Sequence, residues 1–142
     1  MQGLVFMISK KLLCYSAPCA KNRLNSGLMD EKDYNLYMSA LRGEGDFPPE
    51  KFRKYFSGVC ENLNPEKATD NEIRDYFFGQ HNERSMEYCH VIECEVVRLA
   101  KEKAVVRRFD NKKELKAFIY TEKPKRGERV VFHIDGIVDI LD

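Results

Sequence analysis

The sequence has almost no net charge and no long hydrophobic run. Its 24 Lys and Arg residues nearly balance 23 Asp and Glu residues, which leaves a net charge of +1. A net charge this small gives no reason to expect nucleic acid, a membrane or an acidic substrate as the binding partner. The apolar run at 4–8 is too short for a secretory signal, and no window reaches the roughly 18 apolar residues of a membrane span. We therefore expect a cytoplasmic protein with no membrane segment.

The short motifs that mark common enzymes are missing as well. The sequence has no Gly-rich phosphate loop, no nucleophile elbow, no His-Glu-x-x-His and no cysteine pair at standard metal-binding spacing. Acidic residues are plentiful, but no pair is marked out for acid–base work, so we predict that the protein is not an enzyme. The cysteines are odd in number and are expected as free thiols in a reducing compartment. They are Cys14, Cys19, Cys60, Cys89 and Cys94.

The first half of the chain has the 3.6-residue apolar period of helices. Asp30 is placed to cap a helix that begins just after it, and a second helix is predicted to begin near Pro49. Thr69 and Glu72 form a capping box at the start of a third helix. An opening helix is predicted from residue 4 to about 14. The segment 16–27 is predicted as a loop because it combines Pro, Asn, Ser and Gly.

Near residue 86 the apolar period changes from 3.6 to 2, which is the period of strands. Several short strands at close spacing indicate a small closed barrel. The predicted strands are CHVIECEVVRL, KAVVRRF, ELKAFIY, 130–134 and 137–141. We therefore predict an α+β protein with a helical module at 1–86 and a small OB-like β-barrel at 87–142. A barrel of this size is marginal alone, so the helices are expected to pack on it.

The second half also carries a family resemblance. The segment CHVIECEVV, from Cys89, follows the order of Met-Cys-Leu-Ala-Ile-Pro-Gly-Lys-Val-Val. RGERVVFH, which ends at His133, is similar to Val-Gly-Asp-Tyr-Val-Leu-Val-His, and HIDGIVDILD runs in register with His-Val-Gly-Phe-Ala-Ile-Glu-Lys-Leu-Asp. These patterns belong to the HypC/HupF family of hydrogenase maturation chaperones, so the last 54 or so residues resemble that family.

The resemblance implies a fold, a function and two site residues. In that family a cysteine and a histidine are implicated in handling an iron fragment and in contacting the hydrogenase subunit or a partner chaperone. By position they correspond to Cys89 and His133. The resemblance therefore implies a HypC-like barrel in a non-catalytic, chaperone-like protein that binds another protein during metalloenzyme maturation. Because Cys89 is internal, we expect no tightly bound cofactor and at most weak binding of iron or zinc.

The residues themselves leave other interpretations of this region open. Cys89 and His133 are the centre of a possible thiol-based metal or redox site, since sulfur and imidazole nitrogen suit zinc and iron. Cys94 lies five positions after Cys89, so a regular strand would point the two thiols to opposite faces. The alternative is that both thiols only pack as small apolar groups. His81 is predicted to be a hydrogen-bonded histidine near the end of a helix.

A nucleic-acid-binding barrel is the alternative function. Small barrels of the oligonucleotide-binding type use faces where aromatic and basic residues alternate, and Phe109, Phe118 and Tyr120 are interleaved with basic residues here. The lack of net positive charge argues against this function. The candidate face for an anionic partner comprises Arg107, Arg108, Lys112, Lys125 and Arg126.

Overall fold

The computed structural model describes residues 8–141. The chain divides into two compact units, of which the first ends at Tyr76 and the second begins at Phe77. The second unit therefore includes the last helical turns as well as the strands, whereas the change of apolar period alone had suggested a boundary after residue 86. None of the helices in the described part of the chain combines the length and the apolar character that a membrane crossing requires.

The first unit is helical, as the sequence predicts. Its helices are α1 Lys10–Asn25, α2 Glu31–Leu41, α3 Pro49–Tyr55, α4 Ser57–Cys60 and α5 Asp70–Tyr76. The Asp30 side chain accepts a hydrogen bond from the Asp33 backbone N–H at 2.7 Å, which confirms the predicted cap of α2. Thr69 and Glu72 exchange hydrogen bonds at 2.9 and 3.2 Å, so the predicted capping box is also confirmed.

The predicted loop at 16–27 is wrong, because α1 continues through Pro18 to Asn25. A proline inside a helix removes one backbone hydrogen bond and usually breaks the helix. Here the turns on both sides of Pro18 are held by burial, since Tyr15, Ala17 and Ala20 are completely buried. Tertiary packing thus outweighs the local preference of the loop-forming residues. The predicted opening helix falls partly outside the described residues, and its described part belongs to α1.

Aromatic side chains form the centre of the first unit. The Phe52 and Phe56 rings stack with centroids 4.6 Å apart, and Tyr37 meets the Phe47 ring edge-on at 5.1 Å. The Tyr37 hydroxyl donates to the Leu13 carbonyl, so this buried polar group is satisfied. The aromatic side chains Tyr37, Phe47, Phe52 and Phe56 therefore form a buried helical core.

The second unit is a five-stranded sheet preceded by short turns, so the α+β class is confirmed. A π-helical turn Phe77–His81, a short helix α6 Asn82–Arg84 and a 3₁₀ turn Glu87–Cys89 lead into the sheet. The strands are β1 Val91–Leu99, β2 Lys103–Arg108, β3 Glu114–Ile119, β4 Arg129–His133 and β5 Gly136–Leu141. They are hydrogen-bonded in the order β1-β2-β3-β5-β4, and β4 pairs with β1, so the sheet closes.

Alternation along the strands fills the inside of this closed sheet. The core contains mainly small and β-branched side chains, which fit a narrow interior. They are Cys94, Val96, Ala104, Val106, Ala117, Val130, Phe132 and Ile137. The antiparallel register places Val91 opposite His133. The end of β4 therefore lies beside the start of β1, and this pairing positions the site described next.

Candidate thiol and imidazole site

Cys89 is held by a turn and not by a strand. It is the last residue of the 3₁₀ turn, where its backbone N–H donates to the Met86 carbonyl at 2.8 Å. The next N–H, that of His90, donates to the Glu87 carbonyl at 3.1 Å. The prediction that the first strand includes Cys89 is wrong, because these local bonds take up the donors that a ladder would use and β1 begins only at Val91.

His133 brings an imidazole to this turn from the far end of the sequence. It is the last residue of β4, is completely buried, and lies opposite Val91 in the sheet. Its Nε2 lies 3.6 Å from the Cys89 Sγ, within the range of hydrogen bonds to sulfur. The two site residues taken from the family resemblance are therefore neighbours in this structure.

His81 is a second imidazole beside the same sulfur, and it was not predicted as a site residue. Its Nε2 lies 3.8 Å from the Cys89 Sγ, and its ring stands perpendicular to the His133 ring with centroids 5.1 Å apart. The Phe77 ring packs on both imidazoles, at 4.8 Å from His81 and 5.9 Å from His133. The π-helical turn places His81 here, and such turns occur often at functional sites.

Asn82 ties this histidine to the start of the sheet. Its side-chain amide donates from Nδ2 to the Val91 carbonyl at 3.0 Å and accepts at Oδ1 from the Val91 N–H at 2.8 Å. The same Oδ1 lies 3.4 Å from the His81 Nδ1. Asn82 therefore connects the turn that carries His81 to the residue that pairs with His133. The sequence GQHN offered no signal for this role beyond a polar residue near a helix end.

Cys94 does not share the site with Cys89. Its side chain is completely buried in the interior of the sheet, whereas Cys89 is half-buried. Burial raises the pKa of the Cys94 thiol to about 12, because the apolar interior disfavours the thiolate. The two thiols are thus in different environments, but not on opposite faces of one strand, because Cys89 precedes β1. A metal site built from both cysteines finds no support in this geometry.

A metal ion would find few donors in this unit. A thiol and an imidazole are donor types that zinc and iron accept, and the pair of Cys89 and His133 is close enough to share one ion. Structural zinc sites use four such donors, so two leave most of the coordination to water or to another molecule. The expectation of at most weak iron or zinc binding stays a prediction.

Two of the five residues of the predicted basic face form ion pairs with neighbouring carboxylates. Arg107 donates to Glu114 at 2.8 Å, and Arg108 binds both carboxylate oxygens of Asp110 at 2.8 and 2.6 Å. These guanidinium groups lower the pKa values of Glu114 and Asp110. The successive residues Arg107 and Arg108 also alternate in a strand, so they do not present one shared surface.

The other three residues of that face do not add a cluster. Lys112 lies in the turn between β2 and β3 with its Nζ 5.8 Å from the centroid of the Phe109 ring. Lys125 and Arg126 are exposed and belong to the loop before β4, where the Lys125 backbone N–H donates to the Glu128 side chain. The five residues are therefore spread over one strand and two loops.

A surface cleft of about 570 Å³ opens next to the Cys89 turn. Its lining combines apolar residues of β1, β3 and β4 with polar groups that include Arg108 and Asp110. The lining includes Tyr88, Ile92, Phe132 and Ile134. Tyr88 is 68% exposed, and Met86 on the same turn is 69% exposed. Two large apolar side chains therefore face solvent within three residues of the thiol, and both precede Cys89 in the chain.

No protein-family model, no curated protein and no solved structure matches this chain. The HypC/HupF resemblance accordingly stays a prediction from the sequence. The thiol, the two imidazoles and the exposed apolar side chains nearby are the features of this unit that bear on its function.

Proposed function

We propose that this protein is a non-catalytic, chaperone-like module that binds another protein and presents the Cys89 thiol to it. The observation that carries the proposal is the 3.6 Å approach of the Cys89 Sγ to the His133 Nε2 on a turn that is partly open to solvent. Polar side chains would suffice to solvate an ordinary turn. This one instead carries two large apolar side chains, Met86 and Tyr88, which are exposed just before Cys89 in the chain.

Met86 and Tyr88 are suited to the contact with the partner. Tyr and Met are enriched at protein interfaces, where Tyr combines apolar area with a polar end and Met adapts to irregular surfaces. Burying one large apolar side chain contributes about 1.5–3 kcal/mol, so these two residues and the adjacent cleft can anchor a transient complex. The cleft suits a partner side chain with an apolar body and a polar end, because Ile92, Phe132 and Ile134 line it together with Arg108 and Asp110.

The family resemblance supports a particular class of partner. In a HypC-like barrel the cysteine and the histidine contact the partner, and Cys89 and His133 lie together beside the apolar turn. The proposed partner is therefore a metalloenzyme precursor, above all a hydrogenase subunit, or a second maturation protein in the cytoplasm. Since only two donors come from this pair, any iron or zinc would be held firmly only in the complex.

Affinity capture with matched variants tests this function. The bait is the full chain, and the captured proteins are identified by mass spectrometry. We expect a metalloenzyme precursor or a maturation protein to be retained by the natural chain and lost with Tyr88→Asp. Phe109→Asp is the control, because Phe109 is 41% exposed on another turn of the same unit. Equal retention by both variants, or capture of ribosomal and RNA-processing proteins instead, would contradict the proposal.

A nucleic-acid-binding barrel is the second candidate, and one contact favours it. The Lys103 Nζ lies 4.9 Å from the centroid of the Phe118 ring, and both side chains are exposed on the β2–β3 part of the sheet. A cation beside an exposed ring is the arrangement that single-stranded nucleic acid uses for phosphate contact and base stacking. Arg107 and Arg108, which would extend this contact, are paired with Glu114 and Asp110.

A further inference from the structure

We infer that Cys89 is a site of reversible modification by small-molecule disulfides, in which His81 takes the thiol proton and Asn82 positions His81. The inference rests on the proposed thiol site and adds an activity to it. Its basis is a row of three side chains in contact: Cys89, His81 and Asn82.

The hydrogen bonds to Val91 fix the direction of the Asn82 amide. The Val91 backbone N–H can only donate and its carbonyl can only accept, so Oδ1 must face the N–H and Nδ2 must face the carbonyl. The atom of Asn82 that lies 3.4 Å from the His81 Nδ1 is therefore an acceptor. This assigns the proton of neutral His81 to Nδ1, because an acceptor next to a ring nitrogen selects the tautomer that donates to it.

With the proton on Nδ1, the Nε2 of neutral His81 carries a lone pair, and that atom faces the Cys89 Sγ at 3.8 Å. The sulfur, the imidazole and the amide thus have the relation of a nucleophile, a base and a group that orients the base. The His133 Nε2 approaches the same sulfur at 3.6 Å, close enough to donate to the thiolate once it forms.

The turn around Cys89 indicates which electrophile this thiol can attack. Acyl transfer needs N–H donors that stabilise an oxyanion, usually from the nucleophile's own turn. The N–H groups of Cys89 and His90 are both donated within the turn, to the Met86 and Glu87 carbonyls. A disulfide requires no such donors, because the charge of the displaced sulfur is carried away by the leaving thiolate.

The step balances with a disulfide as the co-reactant. The Cys89 thiol gives its proton to the His81 Nε2, and the sulfur attacks one sulfur of the disulfide. A new sulfur–sulfur bond forms as the old one breaks, and the other sulfur leaves as a thiolate. The proton on His81 then passes to that thiolate or, where the leaving thiol is as acidic as an aromatic one, to water. Cys94 cannot reverse the modification, since it is completely buried with a pKa of about 12. An external thiol attacking the mixed disulfide would restore Cys89.

The test uses the full chain and the aromatic disulfide 5,5′-dithiobis(2-nitrobenzoate), whose released thiolate is coloured. We expect peptide mass mapping to find the first adduct on Cys89, and Cys89→Ser to remove the fastest phase of colour release. His81→Gln should slow that phase roughly tenfold, because the base is lost. His90→Gln is the matched control, since His90 lies next to Cys89 but its Nε2 bonds the Ser85 carbonyl.

Two substitutions of Asn82 distinguish a residue that positions His81 from one that only stabilises the fold. Asn82→Asp keeps an oxygen that accepts from both the Val91 N–H and the His81 Nδ1, so the fast phase should be retained. Asn82→Ala removes it and should slow Cys89 to the rate of His81→Gln, with the nitrogen NMR shifts of His81 reporting loss of the Nδ1–H tautomer. A fast phase that survives Cys89→Ser, or equal rates for His81→Gln and His90→Gln, would overturn the inference. Loss of partner capture with normal disulfide reactivity would instead count only against the proposed function.

Discussion

Cys89 and His133 lie 44 positions apart in the sequence, yet the Cys89 Sγ is 3.6 Å from the His133 Nε2. The pairing of Val91 with His133 across β1 and β4 produces this approach, since Val91 follows the turn that carries the thiol. The same turn leaves Cys89 partly open to solvent. A thiol that is accessible and beside an imidazole differs chemically from one inside the barrel, and that difference can be measured.

We predict that Cys89 alkylates faster than Cys94 near neutral pH, and that His133→Ala slows Cys89 without changing Cys94. A neighbouring imidazole stabilises a thiolate, which is the reactive form. Cys94 is completely buried, and burial raises its pKa to about 12. Iodoacetamide labelling resolved by peptide gives both rates in one sample. Equal and slow labelling of both cysteines in the folded protein would mean that the thiol site does not exist.

Gly136 supports a second prediction, about the barrel itself. A Cβ at this position would lie 2.4 Å from the Tyr120 ring and 2.8 Å from the Phe118 carbonyl. Gly136→Ala should therefore lower the free energy of unfolding by about 1–3 kcal/mol, as overpacking does. Gly58→Ala is the control, because its Cβ would meet nothing within 4 Å. In α4 it should be neutral or slightly stabilising, since Ala favours helix more than Gly does. Urea unfolding curves measure both, and equal midpoints would contradict the close contact at Gly136.

The fold was predictable where local pattern and tertiary structure agree. The caps at Asp30 and Thr69 act within four residues, so sequence spacing determines them. The two-residue apolar period of the strands was also a reliable signal, because each strand has one face in the common interior of the sheet. Pro18 shows the opposite case, since only the burial of Tyr15 and its neighbours explains a helix through a proline.

The candidate site was predictable only in part, for a similar reason. Cys89 and His133 were found through the family resemblance, not through spacing. His81 and Asn82 were missed because their roles depend on a π-helical turn and on side-chain bonds to Val91. The exposure of Met86 and Tyr88 could not be predicted either, because large apolar side chains are normally expected to be buried. A count of basic residues likewise could not predict ion pairs such as that of Arg108 with Asp110.

Asp33 gives a prediction about pH in the helical unit. The buried Asp33 carboxylate accepts hydrogen bonds from the Lys51 ammonium and the Tyr55 hydroxyl, and these bonds lower its pKa below the usual 3.8. The depressed pKa means that the carboxylate stabilises the fold above the unfolded pKa, and that this stability is lost as the pH falls through the folded pKa. Asp33→Asn should therefore destabilise most near neutral pH and progressively less at acidic pH values below 3.8.

Denaturant unfolding of the natural chain and Asp33→Asn at neutral pH and at an acidic pH below 3.8 measures this effect. Asp46→Asn is the control, because Asp46 is exposed, and it should leave the pH dependence as it is. If Asp33→Asn lowers stability equally at both pH values, then the loss comes from packing or hydrogen-bond geometry and not from the charge of Asp33.

The last prediction decides between the two functions. If the barrel bound nucleic acid through phosphates, affinity would fall steeply with salt, since each neutralised phosphate releases counterions. Arg107 and Arg108 already bind Glu114 and Asp110, so we expect binding to a single-stranded oligonucleotide to be weaker than about micromolar at physiological salt. Fluorescence anisotropy over a range of salt concentrations measures it. Lys103→Glu tests the one favourable contact, with Lys101→Glu as its exposed neighbour. Tight, salt-dependent binding that Lys103→Glu abolishes and Lys101→Glu preserves would make the nucleic-acid function the better one, because only the cation beside the Phe118 ring differs between the two variants.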